Sequence, residues 1–260
     1  MTPYALLTAL AQDEAVDAPV ALVVAHPDDE TLGLGARLAH WPQLTLIHMT
    51  DGAPVGMGDA RRAGCASREA YAAARAAELD AALEGLAARP VRRLAYGFTD
   101  QSCVDRLPEL IDRLVADLRG QAAVLTHPYE GGHPDHDAAA LAVQAACARL
   151  GSAAPVRLEF AGYHQGPHGP TSGVFPDGDP GEICRAEAID LARKRAALDA
   201  HATQAAVLAR FAGPGERLRL APSYDFARPP PAAGALYDSY GWTLTSAVWR
   251  ARAVEVLACA

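Results

Sequence analysis

The chain of 260 residues is 50% hydrophobic and 21% charged, a composition typical of globular rather than disordered proteins. Its formal charge of −8 argues against a nucleic-acid or anionic-membrane binder, because phosphate-rich surfaces attract basic patches. Five widely spaced cysteines, an N-terminus without a basic start and the lack of a long apolar run predict a cytoplasmic protein with reduced thiols and no membrane span.

Short apolar runs alternate with longer helical stretches along the chain. Strands are predicted at residues 20–25, 44–49, 92–98, 122–126 and 156–163. Helices are predicted at residues 31–40, 68–88, 107–118, 137–150, 186–211 and 246–257. Continuous apolar runs of this length are typical of strands that are covered on both faces. The alternation predicts an α/β fold that is Rossmann-like, with three α/β/α layers, a mainly parallel sheet and one domain over residues 1–260.

Two clusters of histidines and carboxylates follow predicted strands. Residues 26–30 (HPDDE) come after the first strand, and residues 133–136 (HPDH) come after the fourth. Ligands of open α/β sheets bind outside the carboxyl ends of the strands. Two imidazoles and one carboxylate form a common catalytic zinc set, and a second carboxylate beside the metal can take a proton from water. The residues therefore predict metal-assisted hydrolysis, in which one of Asp28 and Asp29 is a metal ligand and the other is the general base.

The pairing of AHPDDE at residues 25–30 with HPDH about a hundred residues later resembles the PIG-L/LmbE-type N-acetylglucosaminyl deacetylases. The resemblance extends from about residue 20 to about residue 211. Its further segments are residues 50–52, 68–79, 126–136 and 194–204. The resemblance implies hydrolysis of the N-acetyl group of a small-molecule amino-sugar conjugate, which releases acetate and a free amine. It also implies a Zn²⁺ cofactor, although the same ligands accept Fe²⁺ or cobalt.

The family pattern also implies a role for each residue of the two clusters. The metal ligands are His26, Asp29 and His136. Asp28 is then the general base, and His133 stabilises the tetrahedral intermediate or protonates the amine. Asp135 orients and polarises a histidine. Some members carry a tyrosine two residues before the position of His133, where this chain has Gly131, so the sequence does not identify the oxyanion donor.

Four further residues near the two clusters are candidate substrate contacts. They are Asp51, Arg68, Tyr129 and His164. Arginine can hold a phosphate or a polyol, and a carboxylate can accept hydrogen bonds from sugar hydroxyls. Each of the four can equally be a turn, surface or core residue. His127, at the end of the fourth strand, either supports the site from behind or is a structural histidine.

Other functions remain open on this sequence. The nearest is an amide hydrolase that acts on another N-acyl substrate, and the next is a metal-dependent sugar-binding protein without turnover. Asp28 argues against the latter, since binding alone needs no extra carboxylate. Gly33 and Gly35 imitate a dinucleotide fingerprint, but they lie too far beyond the strand to form its turn. The sequence specifies neither the sugar conjugate nor an oligomeric state.

Overall fold

The computed structural model describes residues 1–213 and 215–259, which form strands and helices in alternation. The strands are β1 (Val20–Val24), β2 (Leu44–Pro54), β3 (Arg92–Asp100), β4 (Ala123–Thr126), β5 (Val156–Phe160), β6 (Tyr163–Gly166), β7 (Gly169–Ser172), β8 (Glu182–Ile183) and β9 (Arg217–Leu220). The helices are α1 (Pro3–Gln12), α2 (Asp29–Leu34), α3 (Gly58–Arg62), α4 (Arg68–Gly85), α5 (Leu107–Asp117), α6 (Pro134–Leu150), α7 (Ala188–Ala200), α8 (Ala205–Phe211) and α9 (Ser246–Cys259).

Seven strands form one sheet in the order β3-β2-β1-β4-β5-β9-β8. The first five are parallel, β9 pairs antiparallel with β5, and β8 pairs antiparallel with β9. The chain adds β2 and β3 on one side of β1 and then β4 and β5 on the other, so the strand order reverses between β1 and β4. Such a reversal opens a crevice at the carboxyl ends of the central strands, where ligands bind. The predicted α/β fold with a mainly parallel sheet is confirmed.

Both faces of the sheet are buried, which accounts for the uninterrupted apolar strands. All five residues of β1 are inaccessible to solvent. Ala21 and Val23 pack into the core beneath α5, α6 and α9, whereas Val20, Leu22 and Val24 pack into the core beneath α1, α4 and α7. Side chains of a strand alternate between its two faces, so a strand between two helical layers is apolar throughout.

The predicted helix over residues 186–211 is two helices. α7 ends at Ala200, and His201 leaves helical geometry with a ψ of 59°. The buried His201 ring lies 3.3 Å from Thr31 Oγ1, and Thr203 donates two hydrogen bonds to the Glu78 carboxylate. These polar contacts hold the break, and α8 turns towards the carboxyl ends of the strands.

Several short elements escaped the sequence analysis. α1, β8 and β9 were not predicted, and the loop 53–67 contains α3. The predicted fifth strand ends at Phe160, after which β6 and β7 form a separate antiparallel hairpin over residues 163–172. Within residues 1–213 and 215–259, no helix is both long and apolar enough to cross a bilayer.

Candidate metal and catalytic centre

The turn after β1 carries the first cluster and begins a helix of only six residues. The backbone N–H of His26 donates a 2.7 Å hydrogen bond to Asp29 Oδ2, which folds the turn onto itself. Asp28 has a φ of 144°, a conformation that costs a residue with a Cβ about 1–3 kcal/mol. Its backbone N–H donates to Glu30 Oε2, and its carbonyl accepts from Leu32. Backbone strain of this kind clusters at functional sites, which makes Asp28 a candidate functional residue.

The second cluster begins α6, and its geometry fixes the proton of one histidine. His133 is the N-cap, and its Nδ1 accepts a 3.2 Å hydrogen bond from the backbone N–H of Asp135. In a neutral ring the proton therefore sits on Nε2, 3.6 Å from Asp100 Oδ1. The Asp135 carboxylate accepts from the backbone N–H groups of Gln101 and Cys103, which ties the end of β3 to α6.

The two turns meet in space, as their places at the ends of adjacent strands predict. Asp29 lies between two imidazoles, with Oδ2 3.3 Å from His26 Nδ1 and Oδ1 3.2 Å from His136 Nε2. The rings of His26 and His136 have centroids 5.3 Å apart, and His133 meets His26 edge to face at 4.5 Å. All the residues of the predicted ligand set and the predicted acid–base groups are thus brought to one place.

The groups of donors that lie close enough to share a cation differ from the predicted trio, and among the described residues none of them is His26/Asp29/His136 itself. Three overlapping groups each place their ligand atoms within 4.8 Å of one another. They are His26/His133/His136, His26/Asp100/His133/Asp135 and Asp29/His127/His136. His127 stacks on His136 with ring centroids 3.8 Å apart, so it lies directly against the cluster. Asp100, which ends β3, lies 3.1 Å from His26 Nε2 and was not predicted.

The donor set fits a divalent cation. Both ring nitrogens of His136 and Nδ1 of His127 are buried and make no hydrogen bond within the described part of the chain. An unpaired buried polar atom costs free energy, and coordination to a cation would satisfy it. Clustered imidazoles and carboxylates suit zinc, iron or cobalt.

Two of the three predicted ligands, Asp29 and His136, have the protonation state that cation binding needs. The third, His26, does not: although burial lowers its pKa, Asp100, Asp135 and Asp29 raise it well above its usual value. Burial lowers the pKa of His133 to about 3 and that of His136 to about 4, helped by the neighbouring imidazoles His26 and His127 respectively. Although burial alone would raise it, His136 and His127 hold the pKa of Asp29 well below its usual range. Neutral imidazoles and an ionised carboxylate bind cations without first losing a proton.

Asp28 is held by a buried arginine. Arg75 Nη2 donates to Asp28 Oδ2 at 2.8 Å and to the Pro27 carbonyl at 2.9 Å. Burial raises the pKa of Asp28 to about 7, although Arg75 opposes the shift. A base with a pKa near neutrality both takes and returns a proton readily. Gly52 makes room for this arrangement, because a Cβ there would lie 2.4 Å from Arg75 Nη1.

A cleft of about 410 Å³ opens above these groups. Its floor contains His26, Asp28, Asp29, Asp100 and His133. Its outer walls come from α4, from α8 and from the segment before α9, with Tyr71, Arg75, Gln204, Val207, Leu208, Phe211, Tyr240 and Trp242 among them. The cleft therefore offers titratable groups at its base and mainly aromatic and aliphatic groups at its rim.

None of the four candidate substrate contacts lines this cleft. Arg68 and Asp51 form an ion pair with each other, with Nη1 and Oδ2 2.7 Å apart, so each charge is already neutralised by the other. Tyr129 donates its hydroxyl hydrogen bond to the Arg228 carbonyl and stacks on Trp249 in the core. His164 is buried with Nδ1 3.1 Å from Glu130 Oε2. Their positions do not support direct substrate contact.

Gly131 stands two residues before His133, where some family members have a tyrosine, and the hydroxyl of Tyr129 does not take the place of that tyrosine. Gly131 has a φ of +70°, and a Cβ there would lie 2.9 Å from Pro230 Cγ. Its N–H donates to Asp137 and its carbonyl accepts from Leu236, so backbone bonds fix the segment.

Sequence reasoning missed Arg75, Asp100, Tyr71 and Gln204 at the site. Gln204 lines the cleft, and its Nε2 donates to the Tyr71 hydroxyl. The signal for Asp100 was present, because it ends a predicted parallel strand on the same edge as both clusters. Arg75 lies seven residues after Arg68 on α4, hence on the same helix face two turns later.

Arg75→Met should destabilise the protein far more than Arg68→Met. Loss of Arg75 leaves the buried Asp28 carboxylate unpaired, which typically costs about 3–5 kcal/mol, whereas the half-exposed pair of Arg68 contributes about 0–1 kcal/mol. Denaturant unfolding of both variants measures the difference. Equal losses of unfolding free energy would show that Arg75 does not hold Asp28.

Residues 21–147 match the sequence model of the PIG-L family, described as GlcNAc-PI de-N-acetylase. The matched region contains both clusters and Arg75 and ends within α6. The PIG-L/LmbE resemblance predicted from the sequence is confirmed. No curated protein sequence is significantly similar to this chain.

Several solved structures are similar to this fold. The A40926 pseudoaglycone deacetylase Dbv21 is 20% identical, with a TM-score of 0.60 over 80% of this chain and 100% of its own. The zinc-inhibited teicoplanin deacetylase Orf2 is 18% identical, with a TM-score of 0.54 over 72% of this chain and 85% of its own. The N,N'-diacetylchitobiose deacetylase of Pyrococcus horikoshii is 16% identical, with a TM-score of 0.52 over 85% and 93%. At this identity the likeness concerns the fold.

Proposed function

We propose that this PIG-L-like chain is a divalent-metal-dependent N-deacetylase that hydrolyses the N-acetyl group of an N-acetylglucosamine-type sugar conjugate. The observation that carries the proposal is the convergence of His26, Asp29 and His136 beside a separate carboxylate, Asp28. His26, Asp28 and Asp29 line the open cleft, and His136 lies behind them. The names of the structural relatives support the acetyl group and the sugar as the substrate class.

In this proposal His26, Asp29 and His136 hold a zinc ion or another divalent cation such as Fe²⁺. The chemistry that the cation supplies is polarisation of the amide carbonyl and activation of water at neutral pH. The cluster's remaining carboxylates, Asp100 and Asp135, accept hydrogen bonds and fix the ring of His26. Such outer partners orient ligands and raise their basicity.

Asp28 is the base of the proposed reaction. Its carboxylate accepts a proton from the attacking water while Arg75 fixes the position of Oδ2. His133 donates a hydrogen bond from Nε2 to the oxygen that becomes negative as water adds to the carbonyl carbon. A donor aimed at developing charge in a buried site is typically worth about 3–4 kcal/mol of barrier.

The same carboxyl group completes the reaction. After water has added, the C–N bond breaks and the leaving amine nitrogen needs a proton. Asp28 carries the proton that it took from water, and its pKa of about 7 allows it to return that proton. His133 has no spare proton for this step, because its pKa of about 3 keeps it neutral. The products are acetate and a free amine.

Trp242→Ala should raise KM about tenfold and leave kcat within about threefold. Trp242 is partly exposed at the mouth of the cleft, 5.4 Å from the ring of His133, where an aromatic face can cover the sugar ring. Steady-state kinetics measure the effect, and Trp242→Phe should restore most of the affinity. A fall in kcat without a change in KM would contradict a role in sugar binding.

An amine-release screen tests the proposed function itself. N-acetylglucosamine conjugates with different aglycones are incubated with the metal-loaded protein, with and without a chelator. We expect primary amine and acetate in equal amounts from at least one conjugate, and loss of both with the chelator. Amine release that survives complete metal removal would contradict a metal-dependent reaction, and no release from any conjugate would contradict the substrate class.

A further inference from the structure

A second, much smaller cavity lies next to the cation-binding side chains. Its volume is about 20 Å³, and Asp29 and His136 form one end of it. Leu32, Phe160, Ala161 and Phe211 contribute the hydrocarbon part of its wall. The cavity shares Asp29, Leu32, Tyr163 and Phe211 with the large cleft, so the two spaces adjoin at the cluster.

The size of the small cavity limits what it can hold. About 10–15 Å³ of such volume accommodates one water molecule, so the cavity takes one or two groups of that size. A sugar ring does not fit, whereas a methyl group does. The wall is polar on the side of Asp29, His127 and His136 and apolar where Leu32, Phe160 and Phe211 line it. A methyl group is favoured against the apolar part, since burial of apolar surface is favourable.

The sides of the small cavity formed by Phe160, Ala161 and Phe211 are fixed by the fold. The backbone N–H of Ala161 donates to the Arg217 carbonyl at 3.0 Å, which holds the end of β5 against β9. Phe160 packs so closely on α2 that a Cβ added at Gly33 would lie 2.5 Å from its ring. Phe211 stacks on Tyr163 with ring centroids 4.0 Å apart. Packed interiors of this kind do not expand to admit a larger group at low cost.

We propose that the small cavity is the acyl subsite: it receives the methyl group of the acetyl substrate while the sugar occupies the large cleft. The inference rests on the proposed function and adds an upper limit to the length of the acyl chain that the enzyme accepts. Leu32, Phe211 and Ala161 are the residues that set this limit. The enzyme therefore discriminates against propionyl and longer acyl groups by exclusion from this space.

The test compares hydrolysis of N-formyl, N-acetyl, N-propionyl and N-butyryl forms of one accepted glucosamine conjugate. For the wild type we expect kcat/KM to fall about tenfold or more for each methylene beyond acetyl. Leu32→Ala removes part of the shared wall and should raise the propionyl-to-acetyl ratio at least tenfold. Ala161→Val fills the cavity and should reduce acetyl hydrolysis while formyl hydrolysis persists.

Leu191→Ala is the matched control, because Leu191 lies on α7 outside both cavities and is 47% exposed. It should leave all acyl ratios unchanged. Wild-type hydrolysis of butyryl at the acetyl rate would overturn the acyl subsite and leave the proposed function standing. Unchanged ratios in both Leu32→Ala and Ala161→Val would do the same. Failure of the wild type on all four compounds would overturn the proposed function, and the subsite with it.

Discussion

Asp28→Asn should lower kcat by about 10²–10⁴-fold, because an amide cannot accept the proton of the attacking water. The carboxamide keeps the shape of the side chain, and the cation-binding groups His26, Asp29 and His136 are unchanged. Metal content should therefore stay close to that of the wild type, whereas the unfolding midpoint should fall because the buried Arg75 loses its charged partner. Acetate release under saturating substrate and elemental analysis of the same preparation provide the two readouts.

The matched control for this variant is Asp112→Asn, an exposed residue that pairs with Arg149 on the surface. It should retain full turnover. If Asp28→Asn hydrolyses substrate at the wild-type rate, Asp28 is not the base. If the variant loses metal and activity together, Asp28 serves as a ligand and the division of labour with Asp29 is wrong.

His136→Ala should abolish tight metal binding, whereas His133→Ala should retain it and lose turnover. In the proposal His136 is a ligand, and its loss should weaken binding by more than the about 10–100-fold expected for an outer partner. His133 instead supplies a hydrogen bond through Nε2. Competition with a chromophoric chelator gives the affinity for Zn²⁺ of each variant, and the exposed His168→Ala is the control.

The geometry makes this comparison informative, since His26, His133 and His136 also form a group that could hold a cation together. Equal loss of affinity in His133→Ala and His136→Ala would make His133 a ligand and remove it as oxyanion donor. The reverse order of loss would overturn the assignment of both histidines.

The meeting of the two turns was predictable from the sequence for a topological reason. The first cluster follows β1 after one residue and the second follows β4 after a six-residue segment, and parallel strands end on the same edge of the sheet. The register of β1 with β4 then places residues 26–29 beside the segment that follows Thr126. A motif of contiguous polar residues at such a place is visible without coordinates.

The residues around the clusters were not predictable in the same way. Arg68 and Arg75 stand on one face of α4, and the sequence does not tell which turn of the helix reaches Asp28. Tertiary packing determines which arginine reaches Asp28: Arg75 is buried beside it, whereas Arg68 pairs with Asp51. The cleft wall on α8 depends on the helix break at His201, which long-range bonds to Glu78 maintain. Such contacts have no local sequence pattern.

The most direct test of the metal centre is an anomalous diffraction map of crystals loaded with Zn²⁺. The account predicts one strong peak per chain, within coordinating distance of His26, Asp29 and His136, with the Asp28 carboxylate nearby but not bound. A main peak held by His127, or by Asp100 and Asp135 without Asp29, would contradict it, as would the absence of any peak between the two turns.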